Sequence, residues 1–66
     1  MALDPAAVAR QHVWDDLSMW ATRNAKAALD GLGRAKAQDD KEYLTARAET
    51  FQKIAAGART KLEAKP

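Results

Sequence analysis

Between Pro5 and the terminal Pro66, the only cluster of helix-breaking residues is Asp30-Gly31-Leu32-Gly33. A chain with one interior break and helix-favouring residues on both sides has few ways to fold. Residues 6–29 contain neither glycine nor proline and are rich in alanine, the best helix former. Asp4-Pro5 supplies a start signal. Aspartate accepts orphan amide hydrogens as an N-cap, and proline fits the first helical position because its missing N–H would be unpaired there anyway. At the other end, Gly31 is expected to adopt the left-handed conformation that closes many helices, with Leu32 folding back as the accompanying apolar contact.

Beyond the break, Asp39-Asp40-Lys41-Glu42 sets an acidic cap residue three positions before a glutamate, the spacing of a capping box. The sequence therefore predicts helix 1 over about 5–30, a turn over 31–38 and helix 2 over about 39–64. Residues 34–38, Arg-Ala-Lys-Ala-Gln, carry enough helical propensity to extend helix 2 backwards. Gly57 is the one weak point inside it, costing about 1 kcal/mol relative to alanine. The expected fold is all-α, an antiparallel two-helix hairpin forming a single unit over residues 1–66.

Helical periodicity assigns the faces. At about 100° per residue, helix 1 gathers Leu3, Ala7, Trp14, Leu17, Ala21, Asn24, Ala28 and Leu32 on one side. Val13 and Trp20 widen that face, while Arg10 and Asn24 intrude on it. In helix 2, Leu44, Ala48, Phe51, Ala55, Ala58 and Leu62 advance by alternating steps of four and three, a heptad seam. A second line, Tyr43, Ala46, Thr50, Ile54 and Gly57, runs beside it. One partner helix needs one seam, so two adjoining seams suggest a helix with two neighbours, as in a bundle.

Composition sharpens that point. Of 31 hydrophobic residues 16 are alanine, and Leu, Ile, Val and Phe together number 10. Burying a large apolar side chain contributes roughly 1.5–3 kcal/mol. A lone hairpin would leave many of the fifteen non-alanine hydrophobics half exposed, against an ordering cost of about 1.5 kcal/mol per residue. The hairpin is therefore expected to dimerise into a four-helix bundle or to dock on another protein. Trp14, Leu17, Trp20, Tyr43, Leu44, Phe51, Ile54 and Leu62 are the candidate residues for self-association or partner binding. Val8, His12 and Met19 lie among the polar residues of helix 1 and form a candidate exposed partner face.

Several function classes find no support. The chain has no cysteine, so disulfide, thiolate-zinc and cysteine-nucleophile chemistry are excluded. Sixty-six residues are too few for the repeated βαβ units of a nucleotide-binding α/β fold. His12 has Asp15 and Asp16 at helical spacing, but a zinc site would need more ligands than that group supplies, and there is no second histidine. Ser18, the only serine, is rotated about 120° around the helix from His12. No catalytic group, cofactor site, metal site or small-molecule substrate is expected, and the chain is read as a non-enzyme.

Charge is nearly balanced, 11 basic against 9 acidic groups for a net +2. Residues 1–33 are slightly acidic and residues 34–66 slightly basic. Arg47, Lys61 and Lys65 fall on one side of helix 2 and form the only candidate phosphate-contacting strip, which Glu42, Glu49 and Glu63 interrupt. No apolar run is long enough to span a membrane. Met1 to Ala9 lacks the basic and apolar regions of a signal peptide, so a cytoplasmic location, or one within a virion or larger assembly, is expected.

These features favour a small non-enzymatic interaction protein, a regulator, inhibitor or accessory protein of bacterial or phage type. It would act by self-association, through a partner-binding helix face, or both. A structural subunit of a larger, viral assembly is the first alternative. The second is a nucleic-acid-binding dimer that resembles the plasmid-encoded RNA-binding dimers of the Rop type in architecture alone, with no shared residue pattern.

Overall fold

The computed structural model describes residues 4–63. It consists of two helices, α1 (Pro5–Arg34) and α2 (Gln38–Glu63), packed against each other as a hairpin. Leu3, Ala64, Lys65 and Pro66, which figure in the sequence-based expectations, lie outside the described residues.

The start of α1 follows from Asp4 and Pro5. Asp4 is extended (φ −61°, ψ 121°), and its Oδ1 accepts a hydrogen bond from the Ala6 amide at 3.1 Å. Proline occupies the first turn, where its fixed φ is already helical.

The other end differs from expectation. Helix α1 continues through Gly31 and Gly33 to Arg34, and no glycine among the described residues has positive φ. Glycine only weakens a helix, by roughly 1 kcal/mol, and packing outweighs that here. A methyl group at Gly31 would sit 3.4 Å from a Leu44 methyl carbon, so this turn of α1 lies against α2. The helix ends where Ala35 becomes extended (φ −70°, ψ 137°) and donates its N–H to the Leu32 carbonyl at 3.3 Å. The predicted eight-residue turn therefore shrinks to residues 35–37.

The predicted capping box is not the start of α2. Lys41 donates its amide to the Ala37 carbonyl at 3.1 Å, which makes Gln38 the first helical residue. The Glu42 carboxylate accepts from Gln38 Nε2 at 3.4 Å, one turn back along the helix. Asp39 and Asp40 occupy the first turn, where their charges oppose the positive end of the helix dipole.

The two helices meet along the predicted heptad line of α2 and a face of α1 that shares Ala21 and Ala28 with the predicted one but also includes Ser18 and Ala25. Ala21, Ala25 and Ala28 of α1 and Ala48, Ala55 and Ala58 of α2 are buried, with Ser18 as the only buried polar residue among those described. Trp14, Leu17, Asn24, Leu32, Leu44, Phe51 and Leu62 flank them, half-buried. The result is a rod of 56 × 13 × 12 Å with a radius of gyration of 15.6 Å. A compact chain of this length would have a radius of about 11 Å. A rod two helices wide has no interior large enough to enclose a big side chain, and among the described residues no large side chain is fully buried.

Two stability measurements test this arrangement. Gly31→Ala and Gly33→Ala should each raise the thermal midpoint, by an amount equivalent to about 0.5–1 kcal/mol, because both positions are helical. A left-handed Gly31 would instead make the first change destabilising. Ala21→Leu, at a position 0% exposed, should cost about 1–3 kcal/mol by forcing the helices apart.

Candidate interaction surface

The seam divides the hairpin surface into two flanks, and their side chains differ. On one flank, Trp20 of α1 reaches across to α2 and meets Phe51 edge-to-face, with ring centroids 5.1 Å apart and planes at 78°. Such pairs contribute about 0.5–1.5 kcal/mol beyond the area they bury. The Arg47 guanidinium lies over the Phe51 ring, 4.8 Å from its centroid. Its Nη2 also donates to Asn24 Oδ1 at 3.4 Å. Asn24 in turn donates from Nδ2 to the Trp20 carbonyl at 2.8 Å. Asn24 is thus a rim residue that ties α1 to α2, not a polar plug in the middle of the seam.

Beside this cluster Tyr43, Ala46, Arg47, Thr50 and Phe51 line a shallow groove. Tyr43 and Val13 are each 63% exposed and Trp20 is 46% exposed. Ile54 is half-buried, and Ala46, Thr50 and Gly57 are exposed. The second line of α2 is therefore open to solvent in the single hairpin. The sequence places Val13 only at the margin of the α1 face. Its exposure follows from lying seven residues before Trp20, on the same side of the helix.

The opposite flank is more polar. Thr22, Lys26, Leu29, Gln52 and Arg59 border a second groove floored by Ala25 and Ala55. Thr22 Oγ1 donates to the Ser18 carbonyl at 2.7 Å and accepts from Arg59 Nη2 at 3.2 Å, a second side-chain link between the helices. Leu29, 47% exposed, is the large hydrophobic on this side, and the sequence reading did not single it out. Its phase places it next to Thr22, away from the Trp20 flank.

The remaining candidates separate. Trp14, Leu17, Leu44, Phe51 and Leu62 belong to the helix–helix seam, whereas Trp20 and Tyr43 stand on the flank. His12 is exposed and Met19 is 50% exposed on the outer side of α1, while Val8 is half-buried near the end remote from the turn. Arg47 is engaged by Asn24 and Phe51, Lys61 is exposed, and Lys65 lies outside the described residues.

Among the described residues no group of three or more His, Asp or Glu side chains could hold a metal ion, and no helix is long and apolar enough to cross a membrane. No protein-family model, curated protein or solved structure matches the chain.

The flank cluster has a measurable energetic signature. A double-mutant cycle with Trp20→Leu and Phe51→Leu, read by urea unfolding, should give a coupling of about 0.5–1.5 kcal/mol. Arg47→Met, which keeps the apolar stem but loses the guanidinium, should cost about 1 kcal/mol.

Proposed function

We propose that this chain is a small non-enzymatic helical interaction module, a regulator or accessory protein whose working surface is the outside of the hairpin. One observation carries the reading. The buried positions of the seam hold alanine and serine, while Val13, Met19, Trp20, Leu29 and Tyr43 remain about half exposed or more. Single exposed hydrophobics are ordinary on any surface. Here, however, they are a third of the chain's fifteen large hydrophobics, and they carry burial energy that the single hairpin does not use. Aromatic residues with rigid rings are also the side chains that dominate binding energies at interfaces. Self-association and docking on another protein both draw on the same reserve.

The reading makes folding depend on contact. Over a wide dilution series of the purified chain, helix content and thermal midpoint should either fall with dilution or be low throughout, because binding stabilises the folded state by mass action. A chain that melts cooperatively at one high temperature, independent of concentration and monomeric at every dilution, would overturn the proposal.

A further inference from the structure

We infer that the Trp20 flank is a homodimer interface, on which a second copy of this chain seats its own Trp20 flank to complete a four-helix bundle. The inference rests on the interaction-module reading and goes further by committing to the occupant and to its orientation.

The first argument is area. The chain exposes 5258 Å². A folded monomer of 7.2 kDa exposes about 4100 Å² by the scaling of surface with mass. The excess, on the order of 1100 Å², follows from the rod shape and is surface enough to supply the roughly 800 Å² that each partner buries in a standard stable interface.

The second argument is continuity. The open line on each helix adjoins a line already used in the seam. Val13, Trp20 and Ala27 lie one position before Trp14, Ala21 and Ala28. Tyr43, Thr50 and Gly57 lie one position before Leu44, Phe51 and Ala58. Both open lines keep the seven-residue step that lets a straight stripe follow a neighbouring helix. Trp20 and Phe51 join the two regions directly.

The third argument is shape. Trp20 against Phe51 and Asn24 against Arg47 fix the antiparallel register. By these pairs Val13 stands near the level of Gly57, Trp20 near Thr50, and Ala27 near Tyr43, each within about a helical turn. At every level a larger side chain on one helix stands beside a smaller one on the other. A half-turn about an axis parallel to the rod preserves each level and lays α1 of one copy over α2 of the other. Val13 then meets Gly57 of the second copy, Trp20 meets its Thr50, and Ala27 meets its Tyr43. Knobs face holes at all three levels, and the two-fold repeats each contact.

Gly57 is compatible with the same arrangement. It sits inside α2, where glycine is unfavourable, yet a Cβ there would meet nothing within 4 Å in the single hairpin. Nothing in one chain requires it. In the bundle, the absent side chain makes room for Val13 of the other copy.

The test uses the full chain and reads mass by sedimentation equilibrium. The native sequence should be a dimer. Val13→Glu, at an exposed position that a lone hairpin tolerates, should raise the dissociation constant about a hundred-fold by placing unpaired charge in the interface. Met19→Glu, on the outer side of α1, should leave it unchanged. Gly57→Ala separates the models by sign: it would stabilise a lone hairpin but should weaken the dimer, whereas Gly33→Ala stabilises either. Orientation is read by mixing two cysteine variants of this cysteine-free chain. Val13→Cys mixed with Gly57→Cys should give the mixed disulfide under mild oxidation in clear excess over either self-disulfide. A dimer that is indifferent to Val13→Glu, or that gives no such excess of the mixed disulfide, would overturn the inference. So would a marginally folded monomer, which leaves the interaction-module reading standing with a different partner. A robust, concentration-independent monomer would sink both.

Discussion

The burial of small alanines along one seam is the constraint on which the rest of the hairpin depends. Ala21, Ala25 and Ala28 of α1 and Ala48, Ala55 and Ala58 of α2 line that seam, and these are the buried hydrophobic residues of the described chain. Small side chains bring two helix backbones near each other and fix a narrow rod, but each withdraws little more than a methyl group from water, worth about 0.8 kcal/mol. The seam therefore determines geometry more than it supplies energy. The larger residues, Trp14, Leu17, Leu44, Phe51 and Leu62, lie at its borders, where a two-helix rod can shield them only on one side.

That geometry explains why the cross-links between the helices are side-chain pairs on the flanks. A deep core would hold register through shape alone. Here register is held by Trp20 on Phe51, by Arg47 between Phe51 and Asn24, and by Arg59 on Thr22. Each is partly open to water, so each is worth about a kcal/mol or less. The flanks also diverge in character. The Trp20 side carries aromatic and aliphatic groups over small residues, whereas the Leu29 side is bordered by Lys26, Gln52 and Arg59.

The hairpin itself was legible in the sequence because its signals are local and redundant. Asp4-Pro5 caps α1 as those residue types require, and the four-three spacing from Leu44 to Leu62 gives the packing face of α2 directly. The turn was misplaced for an equally physical reason. Glycine permits a left-handed residue without demanding one, and the Gly31 turn instead stays helical against Leu44. The box at Asp39 is a true capping pattern by spacing, yet Ala37, with no side-chain acceptor, precedes the first helical residue. Once α1 ran three residues past Gly31, the connection shortened and the start of α2 moved back with it. Of the candidate surface, the sequence separated seam from flank only in part. Trp20 and Tyr43 join the same list as Phe51 and Leu44 by hydrophobicity, and only the packing assigns them to different sides.

In this chain the three contributions that a globular core delivers together are carried by different residues. Alanine provides helix propensity throughout, the buried seam provides alignment, and the large hydrophobics hold most of the burial energy at positions one hairpin cannot cover. In proteins most helical stability comes from packing an amphipathic face and less from propensity. The aligned seam adds a modest increment. Covering the flanks is what moves the balance, since each large side chain taken from half exposed to buried adds on the order of a kcal/mol. Under the proposed association, folding and dimerisation would draw on one free energy. The exposed Val13, Trp20 and Tyr43 hold burial energy that the single hairpin leaves unused.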